Sequence, residues 1–292
     1  MDHHSAVFPR GEAPFDFYKY NPSATAGWAF LILFAIGGTV HSGWMIYLRS
    51  WFFIPLILGC AGEAGGYWGR IKAHDHIRSS GPYLLQMMLL LASPPFLACT
   101  IYMTLGRIIR NLDAHKLSLI RTTWLTKLYI VIDVGSFVAQ IMGSAMQASA
   151  DGAAKGVKIV TYGLVFQEVA FVFFLLIAGL FHVRLNRTPT PLSRHPQVRW
   201  QRHMWALYAT SGLIFVRNLY RIVEFVQGGD GTVATHEAFM YVLDAGLMLS
   251  VVVVFAVVHP GQLMRAIQRV QKSPGLEEGR YGMVSSRESL AG

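Results

Sequence analysis

The chain has 292 residues, of which 53% are hydrophobic and only 14% charged, with a mean hydropathy of +0.40 and a formal net charge of +9. An ordinary soluble domain carries about 25% charged residues, and the apolar residues here gather into blocks near the roughly 20 residues that cross a bilayer. This excludes a soluble domain; the basic residues sit in short segments beside apolar blocks, so they set membrane orientation and do not mark a nucleic-acid binder.

Residues 1–22 are polar and read as an N-terminal segment without a cleavable signal peptide. Seven spans follow within residues 23–265: Ala26–Leu48, Trp51–Tyr67, Tyr83–Leu105, Leu128–Met146, Ile159–Phe181, Met204–Val226 and Ala238–Val258. Lipid leaves backbone groups no partner but the chain itself, and these blocks lack the alternation of barrel strands, so the fold class is all-α and polytopic. The second span is the shortest and holds Glu63, and the sixth holds two arginines. Pro94-Pro95 inside the third is expected to kink it and free carbonyls for neighbouring helices. Gly62 and Gly66 on the second permit close helix approach, with a homodimer interface as the second reading of that spacing. Cys60 and Cys99 fall inside spans and read as packing residues. Residues 266–292 form a polar C-terminal tail, expected to be disordered beyond about Gln271.

All seven tryptophans fall at or just beyond span ends, where indoles sit at headgroup level. Arg49, Arg107, Arg110, Lys116, Arg121, Arg184, Arg187, Arg194, Arg199, Arg202, Arg265, Arg269, Lys272, Arg280 and Arg287 share one side. The other has Arg10, Lys19, Arg70, Lys72, Arg78, Lys155 and Lys158. Fifteen against seven predicts an N-terminus outside and a C-terminus in the cytosol. An integral protein of the plasma membrane is the expected setting.

Ionisable residues inside spans are costly, and normally face the bundle interior with partners. Helical spacing gathers them here into stripes: Glu63, Tyr67 and Arg70 on the second helix; Arg217, Tyr220, Arg221 and Glu224 on the sixth; Glu237, Tyr241 and Asp244 on the seventh. Gln86, Asp133, Gln140, Gln167 and His236 complete the candidate binding residues. Most fall in the outer half of the bundle, which predicts a cavity there. Acids outnumber bases, so surplus carboxylates are either protonated or available to a cation such as the ammonium head of an amphiphile. The alternative is a purely structural ion-pair network. His41, His182 and His259 near the other end offer a minor alternative, zinc or haem ligation, but no ligand spacing supports it. Walker A, GxGxxG, GxSxG and HExxH motifs are absent, which leans against an enzyme, and the seventh helix has no lysine for a retinal Schiff base.

Over roughly residues 20–265 the chain resembles the fungal RTA-like, or lipid-translocating exporter, family. The resemblance is carried by Tyr20-Asn21-Pro22-Ser23, by Glu63 with Gly66-Tyr67 and Arg70, by Leu105-Gly106-Arg107, and by Gln140 and Gln167. It is most specific at Arg217-Asn218-Leu219-Tyr220-Arg221 with Glu224, His236-Glu237 with Tyr241 and Asp244, and His259-Pro260-Gly261. It implies a seven-helix fungal membrane protein linked to export or flipping of sphingoid bases, aminosterol-type drug resistance or porphyrin movement. The expected function is a transporter or floppase for amphiphilic lipids, with Glu237 and Asp244 meeting the ammonium while Arg217 and Arg221 orient the carboxylates. An intramembrane lipid-modifying enzyme and a seven-helix sensor or receptor are the alternatives.

Overall fold

The computed structural model describes residues 18, 20–146, 153–228 and 231–272. Seven long helices make the bundle: α1 (Ala24–Leu48), α2 (Ile54–Asp75), α3 (Ser80–Asn111), α4 (Thr122–Met146), α5 (Ala153–Arg187), α6 (Trp200–Gln227) and α7, which runs through residues 237–257 in three consecutive pieces. No strand occurs among the described residues. The Ser23 hydroxyl caps α1 by accepting the Ala26 N–H at 3.3 Å. At its other end Arg49 adopts a left-handed φ of 50° and turns the chain back, through the tight turn Trp51–Phe53, into α2. So short a connection makes α1 and α2 antiparallel neighbours.

Among the described residues five helical stretches are long and apolar enough to cross a membrane: Ala24–Leu48, Ser80–Asn111, Trp124–Met146, Ala154–Arg187 and Glu237–Gln271, the last running from the seventh span into the helix that follows it. The two that fall short are α2 and α6, and the reason is physical. On these helices Arg70 pairs with Glu237, and Arg217 and Arg221 pair with Asp244, so ion pairs to the last span and not hydropathy alone hold both in place. Outward, the bundle presents Ile32 and Ile36 on α1, Val131 and Val134 on α4, and Phe166 and Phe173 on α5, an apolar belt suited to acyl chains. Trp28, Trp51, Trp68, Trp124 and Trp205 are exposed near helix ends. Trp200 departs from that pattern: it is 5% exposed, donates its indole N–H to the Ser193 carbonyl at 3.2 Å, and packs edge-on against His182.

Helices α2 and α3 pack through glycine. A Cβ on Gly59 would lie 2.1 Å from Leu97 Cδ1 and one on Gly66 2.5 Å from Leu90 Cδ2, so the small-residue face that includes Gly62 is filled by α3 of the same chain. The homodimer reading of that spacing loses its surface. Pro94 and Pro95 lie within α3, which continues unbroken from Ser80 to Asn111. Pro94 has no N–H, so the Leu90 carbonyl four residues earlier lacks its helical donor. Arg217 of α6 supplies one, from Nη2 at 3.0 Å. The expectation that neighbouring helices satisfy the freed backbone holds at that atom.

After α7, His259 caps a last helix, α8 (Pro260–Gln271), with its ring Nδ1 accepting the Gly261 N–H at 3.1 Å. Leu263, Met264, Ile267 and Val270 bury the inner face of α8 under the bundle. The Arg265 guanidinium lies 4.4 Å over the Tyr47 ring and donates to the Tyr47 carbonyl, latching α8 to α1. Helical structure thus extends to Gln271, and the tail expected to be disordered lies outside the described residues.

Gly69 supplies a direct test of the α2–α3 contact, because a Cβ there meets two backbone atoms, Gln86 N and Pro82 O, both at 3.0 Å. Backbone yields less readily than a side-chain tip, so Gly69→Ala is expected to cost about 1–3 kcal/mol. Gly43→Ala, which meets nothing within 4 Å, is expected to gain roughly 0.5–1 kcal/mol from helix propensity. Thermal midpoints of the detergent-purified proteins check both, and a Gly69→Ala midpoint at or above wild type contradicts the packing account.

Candidate functional site

Three polar centres descend from the N-terminal end of the bundle towards its middle. The uppermost is built on Arg70, near the end of α2 and almost wholly buried. Its Nη2 donates to Glu237 Oε1 at 2.7 Å and to the Tyr20 hydroxyl at 3.0 Å, and its Nε donates to the Tyr241 hydroxyl at 2.9 Å. The rings of Tyr18, Tyr20 and Tyr241 surround the guanidinium at 5.2–5.8 Å, within cation–π range. Glu237 Oε1 also accepts the Ser23 backbone N–H at 2.7 Å, and the Tyr18 hydroxyl donates to Gln86 Oε1 at 2.8 Å. Tyr18 and residues 20–23 are therefore folded over the bundle mouth and tied to α2, α3 and α7.

The second centre lies about two turns deeper, roughly 10 Å along the helix axes at 1.5 Å per residue. Arg217 Nε donates to Asp244 Oδ1 at 2.6 Å. Arg221 pairs with Asp244 Oδ2, and at 2.8 Å with Glu224 Oε2. Asp244 sits in a π-helical turn, Tyr241–Gly246, between the α-helical pieces Glu237–Met240 and Leu247–Val257. Such turns are rare and recur at functional positions. This one directs Asp244 at α6 while Glu237, seven residues earlier, is directed at Arg70 on α2. Glu63 stands within electrostatic range of Asp244, Arg217 and Arg221, is 1% exposed, and neither carboxyl oxygen has a hydrogen-bond partner. The hydroxyls of Tyr67 and Tyr220 are likewise buried without partners. In charge terms Arg217 and Arg221 balance Asp244 and Glu224, which leaves Glu63 as the unmatched carboxyl.

The third centre joins α3, α4, α5 and α6. Asp133 is hydrogen-bonded to Tyr102 and Gln167, and Gln140 Nε2 donates to Gln167 Oε1 at 3.1 Å. Asn218 donates Nδ2–H to Glu168 Oε2 at 2.8 Å, while its own Oδ1 accepts from Arg217 Nη1 at 3.5 Å. One residue therefore touches both the third centre and the second.

The structure distributes the sequence-predicted residues over these centres. Glu63, Arg217, Arg221, Glu224 and Asp244 meet, with Tyr67 and Tyr220 beside them. Gln86, Glu237 and Tyr241 belong to the mouth, and Asp133, Gln140 and Gln167 to the third centre. His236 stands apart, exposed and bonded to the Thr232 carbonyl at 2.9 Å. Asp244 and Glu237, expected to be available to a cation, are already paired with arginine. Glu63 lies nearer the middle of its helix than the sequence suggested, because α2 continues to Asp75. Both Glu63 and Asp244 are closed from solvent; the partly exposed groups are Glu224 and Glu237, at 24% and 22%. Tyr18 and Tyr102 carried no signal in the sequence, and Asn218 entered only as part of the Arg217-Asn218-Leu219-Tyr220-Arg221 motif.

The three histidines do not converge. His41 and His259 adjoin, with ring centroids 5.9 Å apart, and His41 Nε2 faces the Val252 carbonyl at 3.0 Å. His182 instead stacks on Tyr208 and lies against Trp200. Among the described residues no group of three histidine, cysteine or acidic side chains is placed to hold a metal ion.

Arg217 is the residue whose loss should be felt most. Arg217→Ala removes one partner of buried Asp244 and the donor to the Leu90 carbonyl, and is expected to destabilise by about 3–5 kcal/mol. Arg217→Lys keeps the charge without the fork and should fall between. Unfolding midpoints in detergent check the order; an unperturbed Arg217→Ala contradicts it.

Comparison with known proteins places this arrangement in a family. The family model described as RTA1 like protein matches residues 56–267, which include all three centres except the tyrosine segment before α1. Protein RTA1 of Saccharomyces cerevisiae is 32% identical over 272 residues, covering 84% of this chain and 85% of that protein. Protoporphyrin uptake protein 1 of the same yeast is 36% identical over 208 residues, 70% and 67% of the two chains. Its sphingoid long-chain base transporter RSB1 is 28% identical over 269 residues, 79% and 70%. No solved structure matches. The extent of the family match, joined to a relative above 30% identity over most of both chains, shows that this chain belongs to the RTA1-like family of fungal membrane proteins.

Proposed function

We propose that the protein is a transporter or floppase for amphiphilic lipids with a cationic head, of the sphingoid-base or aminosterol kind, and that Glu63 receives the ammonium group. The observation that carries this is the unmatched carboxyl: Glu63 is buried without a donor inside a cluster whose other charges balance. An ammonium supplies both the missing charge and the missing donors. Arg70, Arg217 and Arg221 are each engaged by carboxylates, so the site is short of cations and has none to spare for an anion. That sign favours a base over a tetrapyrrole carboxylate, although relatives of this chain carry both names. Asp244 then acts by holding Arg217 and Arg221 beside Glu63. The partly exposed Glu224 and Glu237 form the rim at which the head group first arrives. The basic end of the bundle lies in the cytosol, and the plasma membrane is the proposed location.

Purified protein in proteoliposomes with a labelled sphingoid base tests the reading. A charge-assisted contact is worth about 1.5–3 kcal/mol, so Glu63→Gln is expected to weaken apparent affinity roughly 10- to 100-fold. N-acylation of the base removes the ammonium, and the acylated lipid should not move. Recovery of chemically unaltered base separates transport from lipid modification. Wild-type rates in Glu63→Gln, or equal movement of base and acylated base, defeat the proposal.

A further inference from the structure

Outside the head-group site, the third centre holds more acid than its surroundings can balance. Asp133 and Glu168 are both buried, and each uses one side of its carboxyl: Glu168 Oε2 accepts from Asn218 at 2.8 Å, and Asp133 is held by Tyr102 and Gln167. Asp133 Oδ2 and Glu168 Oε1 have no partner, and neither has the hydroxyl of Ser136, buried one turn along α4 from Asp133. The two carboxyls lie within electrostatic range of each other. The described groups facing them are Tyr102 and Cys99 of α3, Gln167 of α5, and Asn218 and Arg217 of α6, with Tyr129 of α4 beside Tyr102. Only Arg217 is a cation, and it is already bonded to Asp244.

We propose that Asp133 and Glu168 form a proton-binding centre, and that Asn218 and Arg217 transmit its state to Asp244, coupling lipid movement to a proton. This rests on the transport reading for the lipid, but not for the proton. A carboxyl closed from water with one oxygen unpartnered is stable as the acid, its O–H on the free oxygen. Three unsatisfied oxygens fall short of the six to eight that a calcium ion takes. When the O–H bond of Glu168 breaks and the proton leaves to water, the electron pair stays on the carboxylate. Glu168 then competes with Asp244 for the Arg217 guanidinium, which already touches Asn218 at 3.5 Å. Drawing Arg217 towards α5 loosens Asp244 and changes the field at Glu63. Reprotonation from the opposite phase returns Arg217 to Asp244. One arginine with two competing acids is thus a two-position element that both sites bias.

Infrared titration of the wild-type protein in nanodiscs tests the centre without any transported lipid. Protonated-carboxyl absorption that titrates with pH is expected, with loss of its components in Asp133→Asn and in Glu168→Gln, both near-isosteric. In proteoliposomes an imposed pH gradient should drive accumulation of labelled base by wild type. In the double variant that gradient dependence should be lost while exchange at equal pH persists. Carboxyl absorption unchanged by both substitutions overturns the proposal, as does gradient-driven accumulation that survives in the double variant. Replacement of the proton signal by sodium-dependent stabilisation at constant ionic strength also overturns it. Titrating carboxyls with no lipid flux would leave the proton centre standing and remove the lipid reading instead.

Discussion

The guanidinium of Arg217 is the contact on which the interior depends. Its Nε holds Asp244, its Nη2 holds the carbonyl of Leu90, and its Nη1 reaches Asn218. The Leu90 carbonyl is available only because Pro94 cannot donate to it, so a proline in α3 creates the acceptor that docks α6. A lysine could not serve three acceptors in fixed directions; the planar fork of arginine can. Without these partners a buried guanidinium is strongly unfavourable, and with them it joins α3, α6 and α7 at one point.

The π-helical turn has a related consequence. In an unbroken α-helix Glu237, Tyr241 and Asp244 form one stripe. The turn at Tyr241–Gly246 separates them, so that Glu237 closes the mouth with Arg70 while Asp244 serves α6. Two ion-pair systems are thereby held apart on one helix, and Glu63 lies beside the lower one without joining it. The mouth is sealed by tyrosines from the segment before α1, whose hydroxyls and rings satisfy Arg70 on several sides.

Much of the fold was legible because it follows from one-dimensional quantities. The hydropathy of the spans, the tryptophans at their ends and the helical stripes of charge all depend on position along the chain, and all seven helices formed where they pointed. Lateral choice is not written that way. Face alone does not choose among Glu63, Glu237 and Asp244 as arginine partners; in the structure Arg70 takes Glu237, Arg217 and Arg221 take Asp244, and Glu63 is left without a hydrogen-bond partner. The same limit explains His182, which shares a depth with His41 and His259 but is committed to Tyr208 and Trp200. Trp200 looked like an interfacial anchor because its position satisfied that rule, yet the loop preceding α6 folds back to accept its indole N–H.

The polar centres stop near the middle of the bundle, and below them the character changes. Ile101, Leu105 and Ile108 of α3, Leu207 of α6, Phe255 of α7 and Ile267 of α8 fill the C-terminal half, with Phe53 stacked on His259 at 4.1 Å. Among the described residues no carboxylate lies along that stretch to receive a cationic head group, and an unpaired charge there costs several kcal/mol. On the transport reading, the mouth and the polar centres can therefore be one half of a pathway, and the other half must be made by movement. Helix α8 covers this end with its apolar face and is held to α1 by Arg265 on Tyr47. The described bundle is thus asymmetric, ion-paired in its upper half and largely apolar in its lower half, where α8 is latched to α1.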